Sequence, residues 1–335
     1  MRSVVLGYGN AGASLHIPVL RKIITNRPEL RIDPVFHVVD PRISADLVDM
    51  KDLRFHNRLP RVGNASEGPV VCHICTPPST RLALIAEALA YGYRHIIVEK
   101  PAALDVESIN RLIEMQRQYA AQILVVSVYS NSILTDEIRS VISATSTQAV
   151  RRMFFAKRKS RYDRSAGRSE EHIFDIECPH QVALALDLLG PAELEEAVVS
   201  NMQLPEGRIV QAMGTGRITL RHSNGVRSVL ESSLIHPSRE RTVELHMKND
   251  RVIVGHFPVA RDDNISTLTI DRTSRTMHDE PLTQCISRAY SFFDQNHART
   301  SNDARALETM SLSFHRKIIE VLTAAKRLSY APAFA

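Results

Sequence analysis

Nowhere does the chain carry an apolar run approaching the roughly 18 residues that span a membrane, so no transmembrane segment is expected. It also lacks a charge excess large enough to require a nucleic-acid partner: the formal charge of +5 is modest for 335 residues. No internal repeat or low-complexity stretch occurs, which excludes solenoid and disordered architectures. Residues 1–6 already read as a first strand, which leaves no room for a secretory leader and makes a cytoplasmic protein the expectation. Cysteine is sparse, at four residues: Cys72, Cys75, Cys178 and Cys285. Cys72-His73-Ile74-Cys75 offers the spacing of a metal or redox pair, but it lies inside Val70 to Cys75, an apolar stretch that reads as a strand. Residues three apart in a strand point to opposite faces, so buried structural thiols and no metal site are expected.

What is present is a chain with 44% hydrophobic residues, enough to bury a large core. At roughly 100–200 residues per domain, two domains are expected. Residues 1–127 alternate short β-branched runs with amphipathic stretches, the pattern of a parallel sheet with crossover helices. Strands are predicted at Ser3 to Leu6, Pro34 to Val39, Val70 to Cys75, His95 to Val98 and Gln122 to Ser127, with helices at Ser79 to Tyr91 and Val106 to Tyr119. From residue 128 to 335 the texture changes. After a helix at Ser132 to Ala144, longer alternating runs (Gln148 to Lys157, Arg208 to Ala212, Gly216 to Arg221, Arg227 to Ile235, Thr242 to Met247, Ser266 to Ile270) predict an antiparallel sheet with one covered face. A helical region from Leu282 to Leu328, interrupted near Asn296 to Asn302, closes the chain. The expected class is therefore α/β: a Rossmann domain followed by an α+β domain on an open, mainly antiparallel sheet.

The most informative stretch is Gly7-Tyr8-Gly9-Asn10-Ala11-Gly12, directly after Ser3-Val4-Val5-Leu6. A Gly-x-Gly-x-x-Gly turn at a strand end is the dinucleotide fingerprint: the first glycine turns, the second admits a pyrophosphate, the third packs helix on sheet. Phosphates then meet the free N–H groups of the helix start. Asp40 ends the second strand, where a carboxylate can accept the adenosine ribose hydroxyls and repel a 2′-phosphate, favouring NAD. Arg42 could instead meet that phosphate and favour NADP, and Asp40 before Pro41 could be only a turn former. Arg151, Arg152, Lys157, Arg158, Lys159, Arg161, Arg164 and Arg168 cluster around one acid, Asp163, a field that suits an anionic substrate or merely a solvated edge.

With the glycine turn come His16-Ile17-Pro18, Thr76-Pro77-Pro78, Glu99-Lys100-Pro101 and His180 with Gly190. Together these resemble the glucose-fructose oxidoreductase, inositol dehydrogenase and MocA-type family over most of the chain. The resemblance implies an NAD(P)-dependent enzyme acting on a sugar, cyclitol or amino sugar. It implies that Lys100 and His180 carry the chemistry and that Thr76, Pro77, Pro78, Glu99 and Lys100 join the glycine turn, including Asn10 and Ala11, in holding the cofactor. His16 matches the family's histidine in this loop and reads as structural or cofactor-adjacent. Substrate contacts are implied at Tyr129 and Asn131, with Arg158, Arg161 and Tyr162 on the following strand and loop. Bottom-up chemistry agrees: oxidising a secondary alcohol needs a base for the hydroxyl proton and a cation for the developing alkoxide. Many relatives carry aspartates four residues before and three after the histidine, where this chain has Ile176 and Ala183. Glu177 or Asp175 is expected to orient His180 instead; Glu177 shares its face by the i,i+3 rule only if the helix is continuous through Pro179. A homodimer or homotetramer is expected, because the open sheet face would otherwise leave an apolar surface in water. The rivals are an imine reductase and a non-catalytic dinucleotide-binding regulator on the same scaffold.

Overall fold

The computed structural model describes residues 1–43, 50–63, 68–145, 149–167, 171–260, 262–294 and 301–329. It divides into two compact units: Met1–Ser127 with Leu282–Ile319, and Val128–Pro281 with the chain from Glu320 onward. Residues 282–319, which sequence assigned to the second domain, thus group with the first.

In the first unit a six-stranded parallel sheet is ordered β3-β2-β1-β4-β5-β6, formed by β1 (Arg2–Leu6), β2 (Phe36–Val39), β3 (Leu53–His56), β4 (Val70–Ile74), β5 (His95–Val98) and β6 (Gln122–Val125). This is the doubly wound order whose reversal beside β1 and β4 opens a crevice at the strand ends. Every residue of β4 is buried, as a continuous apolar run in a central parallel strand should be. The crossover helices include α1 (Ile17–Asn26), α2 (Pro78–Ala90) and α3 (Val106–Gln118). Pro78 starts α2 at a position that needs no N–H, and Asp105 caps α3 by accepting from Ser108 N at 2.7 Å. The edge strand β3 was not read from sequence, because Leu53-Arg54-Phe55-His56 is too short and polar to stand out.

The second unit is built on an eight-stranded sheet ordered β16-β15-β14-β13-β7-β12-β11-β8. Its strands are β7 (Val150–Ser160), β8 (Ala192–Val199), β11 (Thr215–His222), β12 (Arg227–Ser233), β13 (Ile235–Met247), β14 (Val252–His256), β15 (Ile265–Ile270) and β16 (Thr273–His278). All neighbours are antiparallel except β7 and β12. The predicted run at Arg208 to Ala212 is not part of it: β9 (Met202–Gln203) and β10 (Ile209–Val210) form a separate hairpin. Helices α4 (Ile133–Thr145), α5 (Tyr162–Ala166), α6 (Ile173–Ile176) and α7 (Pro179–Leu189) follow one another in this unit. Fully buried α7 is pinned to the sheet by Gln181, whose Nε2 donates to the carbonyls of Phe155 and Glu231 at 2.8 and 2.9 Å.

The outward sheet face is mixed in character. Arg152, Arg227 and Arg221 lie abreast on β7, β12 and β11, and Glu195 on β8 pairs with both Arg221 and Arg227. Arg217 pairs with Glu196, and Arg158 with Glu231 and Glu240. On that side alternation sets these charged pairs beside the half-buried Phe154 and Val229 and the exposed Val198.

The C-terminal helices are α8 (Pro281–Phe293), α9 (Ser301–Met310) and α10 (Leu312–Ser329). The predicted break at Asn296 to Asn302 falls largely outside the described residues. No described helix is long and apolar enough to cross a membrane.

Candidate functional site

The three glycines of the first turn have separate structural reasons. Gly7 has φ +94°, which L side chains rarely adopt, and its N–H donates to Val39 O at 2.8 Å, joining the turn to β2. A Cβ on Gly12 would fall on the Gly7 carbonyl oxygen, so the helix start and the strand end meet backbone to backbone. A Cβ on Gly9 would meet nothing within 4 Å. The turn is therefore closed at the first and third glycines and open at the second, the shape a pyrophosphate needs. Asn10 beside it is exposed and Ala11 is half-buried at the start of the helical turn.

Asp40 follows β2 and is buried, with its Oδ2 accepting from Tyr8 N at 2.9 Å. Arg42 closes on the same carboxylate through Nε at 3.0 Å and Nη2 at 2.9 Å, while its side chain stays 77% exposed. The Arg42 hydrogen bonds hold Asp40 ionised, with its pKa down at about 2. The two residues that sequence weighed against each other are thus one ion pair at the turn. Thr76 stands across from Gly7, Thr80 Oγ1 donates to Thr76 Oγ1 at 3.1 Å, and Pro77 and Pro78 lead into α2.

Glu99, Lys100 and Pro101 leave β5 at the same sheet end. Glu99 N donates to Ile74 O at 3.1 Å, and Lys100 N donates to Glu99 Oε2 at 3.2 Å. Lys100 is half-buried. Arg81, on α2, reaches under this turn: its Nε donates to Thr76 O at 3.0 Å, and its Nη1 donates to Glu99 O at 2.6 Å and to Pro101 O. Burial lowers the Arg81 pKa to about 10, still cationic near neutral pH. Sequence reasoning missed Arg81, since nothing in a helical Pro-Ser-Thr-Arg marks an arginine that turns inward. His16 also comes here, its Nε2 3.1 Å from Glu99 Oε1. Burial opposes charge on His16, but the Cys75 side chain and the Glu99 carboxylate outweigh it and raise its pKa to about 10. Glu99, which burial alone would raise, is held at about 2 by His16, Lys100 and Arg81.

In the second unit His180 is the second residue of α7, after Pro179. The helix is not continuous upstream: α6 ends at Ile176, so the i,i+3 argument for Glu177 does not apply. Each oxygen of Glu177 is held by a lysine of β7, Oε2 by Lys157 at 2.8 Å and Oε1 by Lys159 at 2.6 Å. Asp175 pairs with Lys326 at 2.9 Å. Burial lowers Lys159 to about 8, whereas in Lys157 the nearby Glu177 and Tyr129 overcome burial and raise its pKa. The Tyr129 ring packs edge-on against His180 at 5.5 Å and near Phe257 at 4.6 Å, and Asn131 is buried close by in sequence.

The basic stretch is largely neutralised. Arg158 pairs with Glu240 at 2.9 Å, buried Arg161 with Glu171 at 2.7 Å, and Arg151 with Asp250 at 3.8 Å. Tyr162 opens α5, its hydroxyl 3.5 Å from Ile235 O. Arg168 lies outside the described residues. The four cysteines are buried and free, and among the described residues no group of three or more His, Cys, Asp or Glu is placed to hold a metal ion.

Residues 1–127 match the model of the GFO_IDH_MocA oxidoreductase family, described as an NAD-binding Rossmann fold. Among solved structures, the chain is similar to the WlbA dehydrogenase of Bordetella pertussis in complex with NADH and UDP-GlcNAcA, at TM-score 0.73 and 16% identity, covering 99% of this chain and 97% of that one. It is similar to UDP-N-acetylglucosamine 3-dehydrogenase GnnA of Acidithiobacillus ferrooxidans, at TM-score 0.69 and 17% identity, with coverage of 99% and 97%. A third is an NAD binding oxidoreductase of Klebsiella pneumoniae, at TM-score 0.70 and 15% identity, with coverage of 99% and 97%. At these identities the likeness is one of fold. A search of curated proteins returned no significant match.

Proposed function

We propose, from the match of residues 1–127 to the model of the Gfo/Idh/MocA oxidoreductase family with its NAD-binding Rossmann fold, that this chain is an NAD-dependent dehydrogenase or reductase acting on a secondary alcohol or ketone of a sugar-like substrate. The observation that carries this reading is the glycine turn, packed shut at Gly7 and Gly12 and open at Gly9, with an ionised carboxylate at Asp40 beside it. NAD is preferred over NADP because that carboxylate would stand against a 2′-phosphate. Arg42 offers the phosphate a cation only by leaving Asp40 behind as an anion.

Held at the glycine turn with Asp40 at its adenosine end, NAD would supply the hydride acceptor. The chain's own groups handle the rest of the alcohol. Lys100, on a turn fastened by Glu99 and Arg81, is the cation for developing alkoxide charge. His180 receives the hydroxyl proton; a positioned base of this kind contributes about 100- to 10,000-fold. The similar WlbA dehydrogenase is bound to UDP-GlcNAcA and the similar GnnA is a UDP-N-acetylglucosamine 3-dehydrogenase, which supports a carbohydrate-like substrate here. An anionic substrate finds less support, since Arg158 and Arg161 are engaged by glutamates.

A second reading is favoured by one observation. The acids sequence offered to orient His180 are both bound to lysines, an arrangement that suits a dinucleotide-binding regulator. Calorimetric titration with NAD(H) and NADP(H), after removal of carried-over nucleotide, followed by a sugar and cyclitol turnover screen, separates the two. The Lys100→Met variant is expected still to bind NAD and to lose turnover by about 100-fold or more. Binding without turnover of any substrate would leave the regulator, and no binding of either nucleotide would remove both readings.

A further inference from the structure

His16 does not end at Glu99. On its other side, His16 Nδ1 lies 2.9 Å from His73 Nδ1; His73 Nε2 lies 2.8 Å from the Tyr290 hydroxyl, and that hydroxyl lies 2.6 Å from Ser3 Oγ. Glu99, His16, His73, Tyr290 and Ser3 therefore form one unbroken row of hydrogen-bonding side chains through the first unit. It runs from the turn of Lys100 through β4 to α8 and ends on β1. His16, His73, Tyr290 and Ser3 are fully buried, so no bulk water is at hand to replace a lost partner.

Geometry restricts where the protons are. Two ring nitrogens 2.9 Å apart share one proton, so one donates and the other must be a bare acceptor. The pair therefore cannot be two imidazolium ions. If it carries one positive charge, His16 is the ring that faces an anion, while His73 faces a phenol and a cation. Burial, and then the His16 charge, push the His73 pKa well below its ordinary value. In that state His16 donates from Nε2 to Glu99 and from Nδ1 to His73, His73 donates from Nε2 to Tyr290, and Tyr290 donates to Ser3. Removing one proton reverses the row beyond His16: Tyr290 donates to His73 Nε2, and His73 Nδ1 donates to His16. The charged groups that face the row are the Glu99 carboxylate and, beside it, the Arg81 guanidinium of α2 and the Lys100 ammonium. The thiols of Cys75 and Cys72 face His16 and Tyr290 respectively.

We propose that Glu99, His16, His73 and Tyr290 act as one protonic unit that positions Lys100, with the cation on His16, His73 neutral, and the direction of its internal hydrogen bonds set by a single proton. The link to Lys100 is short. Glu99 uses one oxygen for His16 and the other for the Lys100 backbone N–H. Deprotonating His16 leaves Glu99 a buried anion with a weaker partner, and the oxygen that fixes the Lys100 turn is then free to shift. His16, His73 and Tyr290 are positioning residues in this scheme, acting on the substrate only through Glu99 and Lys100. The activity arm of the test rests on the reading of Lys100 given above; the spectroscopic arm does not.

The test is ¹⁵N NMR of the full chain labelled at histidine, recorded as a function of pH, beside pH profiles of kcat/KM and NAD affinity. Wild type is expected to show one buried ring with both nitrogens protonated well above neutral pH, coupled to a neutral ring protonated at Nε2. His73→Leu removes the acceptor of the His16 Nδ1–H. It is expected to lower the His16 midpoint by at least about one unit, so that charged His16 above that midpoint falls about tenfold, and to move the alkaline limb of kcat/KM with it at unchanged NAD affinity. His73→Gln supplies a carbonyl acceptor and is expected to restore both. Two neutral rings in wild type at pH 7, or a doubly protonated His73, would overturn the proposal even if the leucine variant failed to fold. So would a His16 midpoint that His73→Leu leaves in place, or leucine and glutamine variants impaired equally at every pH. If no turnover is found at all, the NMR outcomes still decide.

Discussion

Replacing the glycines of the first turn one at a time separates folding from binding. At Gly12 an added methyl falls on the Gly7 carbonyl oxygen, with Val5 Cγ1 3.2 Å away, and the principal obstacle is backbone, so no side chain can rotate aside. The helix start must move off the strand end. Overpacking of this kind costs about 1–3 kcal/mol, occasionally more. For a folding unit of this size each kcal/mol lowers Tm by about 2–4 °C, so Gly12→Ala is expected to melt roughly 2–12 °C below wild type. At Gly9 the same methyl meets nothing within 4 Å, and Gly9→Ala should melt within about 1 °C of wild type, as surface substitutions do. That open space is where the backbone is to approach the pyrophosphate. Gly9→Ala is therefore expected to weaken NAD binding at least about tenfold, or about 1.4 kcal/mol. Differential scanning calorimetry and titration calorimetry on the two variants read the two effects independently. A Gly9→Ala protein that binds NAD like wild type would refute the assignment of the turn, and a Gly12→Ala protein of unchanged Tm would refute the packing argument.

Asp40→Asn removes the charge that opposes a 2′-phosphate and releases Arg42; the ratio of NADP to NAD affinity, measured by calorimetry, is expected to rise by about tenfold or more, and an unchanged ratio would place the adenosine elsewhere. Stability should fall on both sides of neutrality. Burial lowers the pKa of His73 well below its ordinary value, of His172 to about 4 and of His315 to about 3, so below about pH 6.5 the unfolded chain binds protons that the fold refuses, each histidine costing up to about 1.4 kcal/mol per pH unit. His16 works the other way. Its pKa is raised to about 10, so its stabilisation is complete below about pH 6.5 and is lost progressively as the pH climbs from there through about 10. Urea titrations across pH 5 to 10 should therefore show about a one-proton or steeper slope on the acid side, and a flat profile there would contradict the burial of these rings.

The Rossmann half was legible because its signals are local. A glycine turn after an apolar strand, and a Glu-Lys-Pro at another strand end, each announce a backbone geometry that few residue combinations satisfy. The strands that escaped reading, such as Leu53–His56, Ala192–Val199 and Thr273–His278, are short, polar or rich in glutamate and alanine, and acquire strand form from the neighbour they pair with. The candidate site divides along the same line. Asp40 and Arg42 are two residues apart, and sequence could name both, but only the fold shows that they answer each other as one ion pair. Glu177 and Asp175 were chosen for being near His180 in the chain, whereas their charges are answered by lysines from β7 and from Lys326. His73 did leave a trace, as a histidine inside the otherwise apolar Val70–Ile74. An imidazole there has to find hydrogen-bond partners or go unsatisfied at a cost of about 1–3 kcal/mol, so its presence implied an inward partner without saying which. The partners are His16, reached along the glycine turn, and Tyr290, 217 residues further along the chain, on a helix that the sequence had placed in the other domain. The row that joins them to Glu99 thus depends on the grouping of α8 with the parallel sheet, and local pattern carries no record of that grouping.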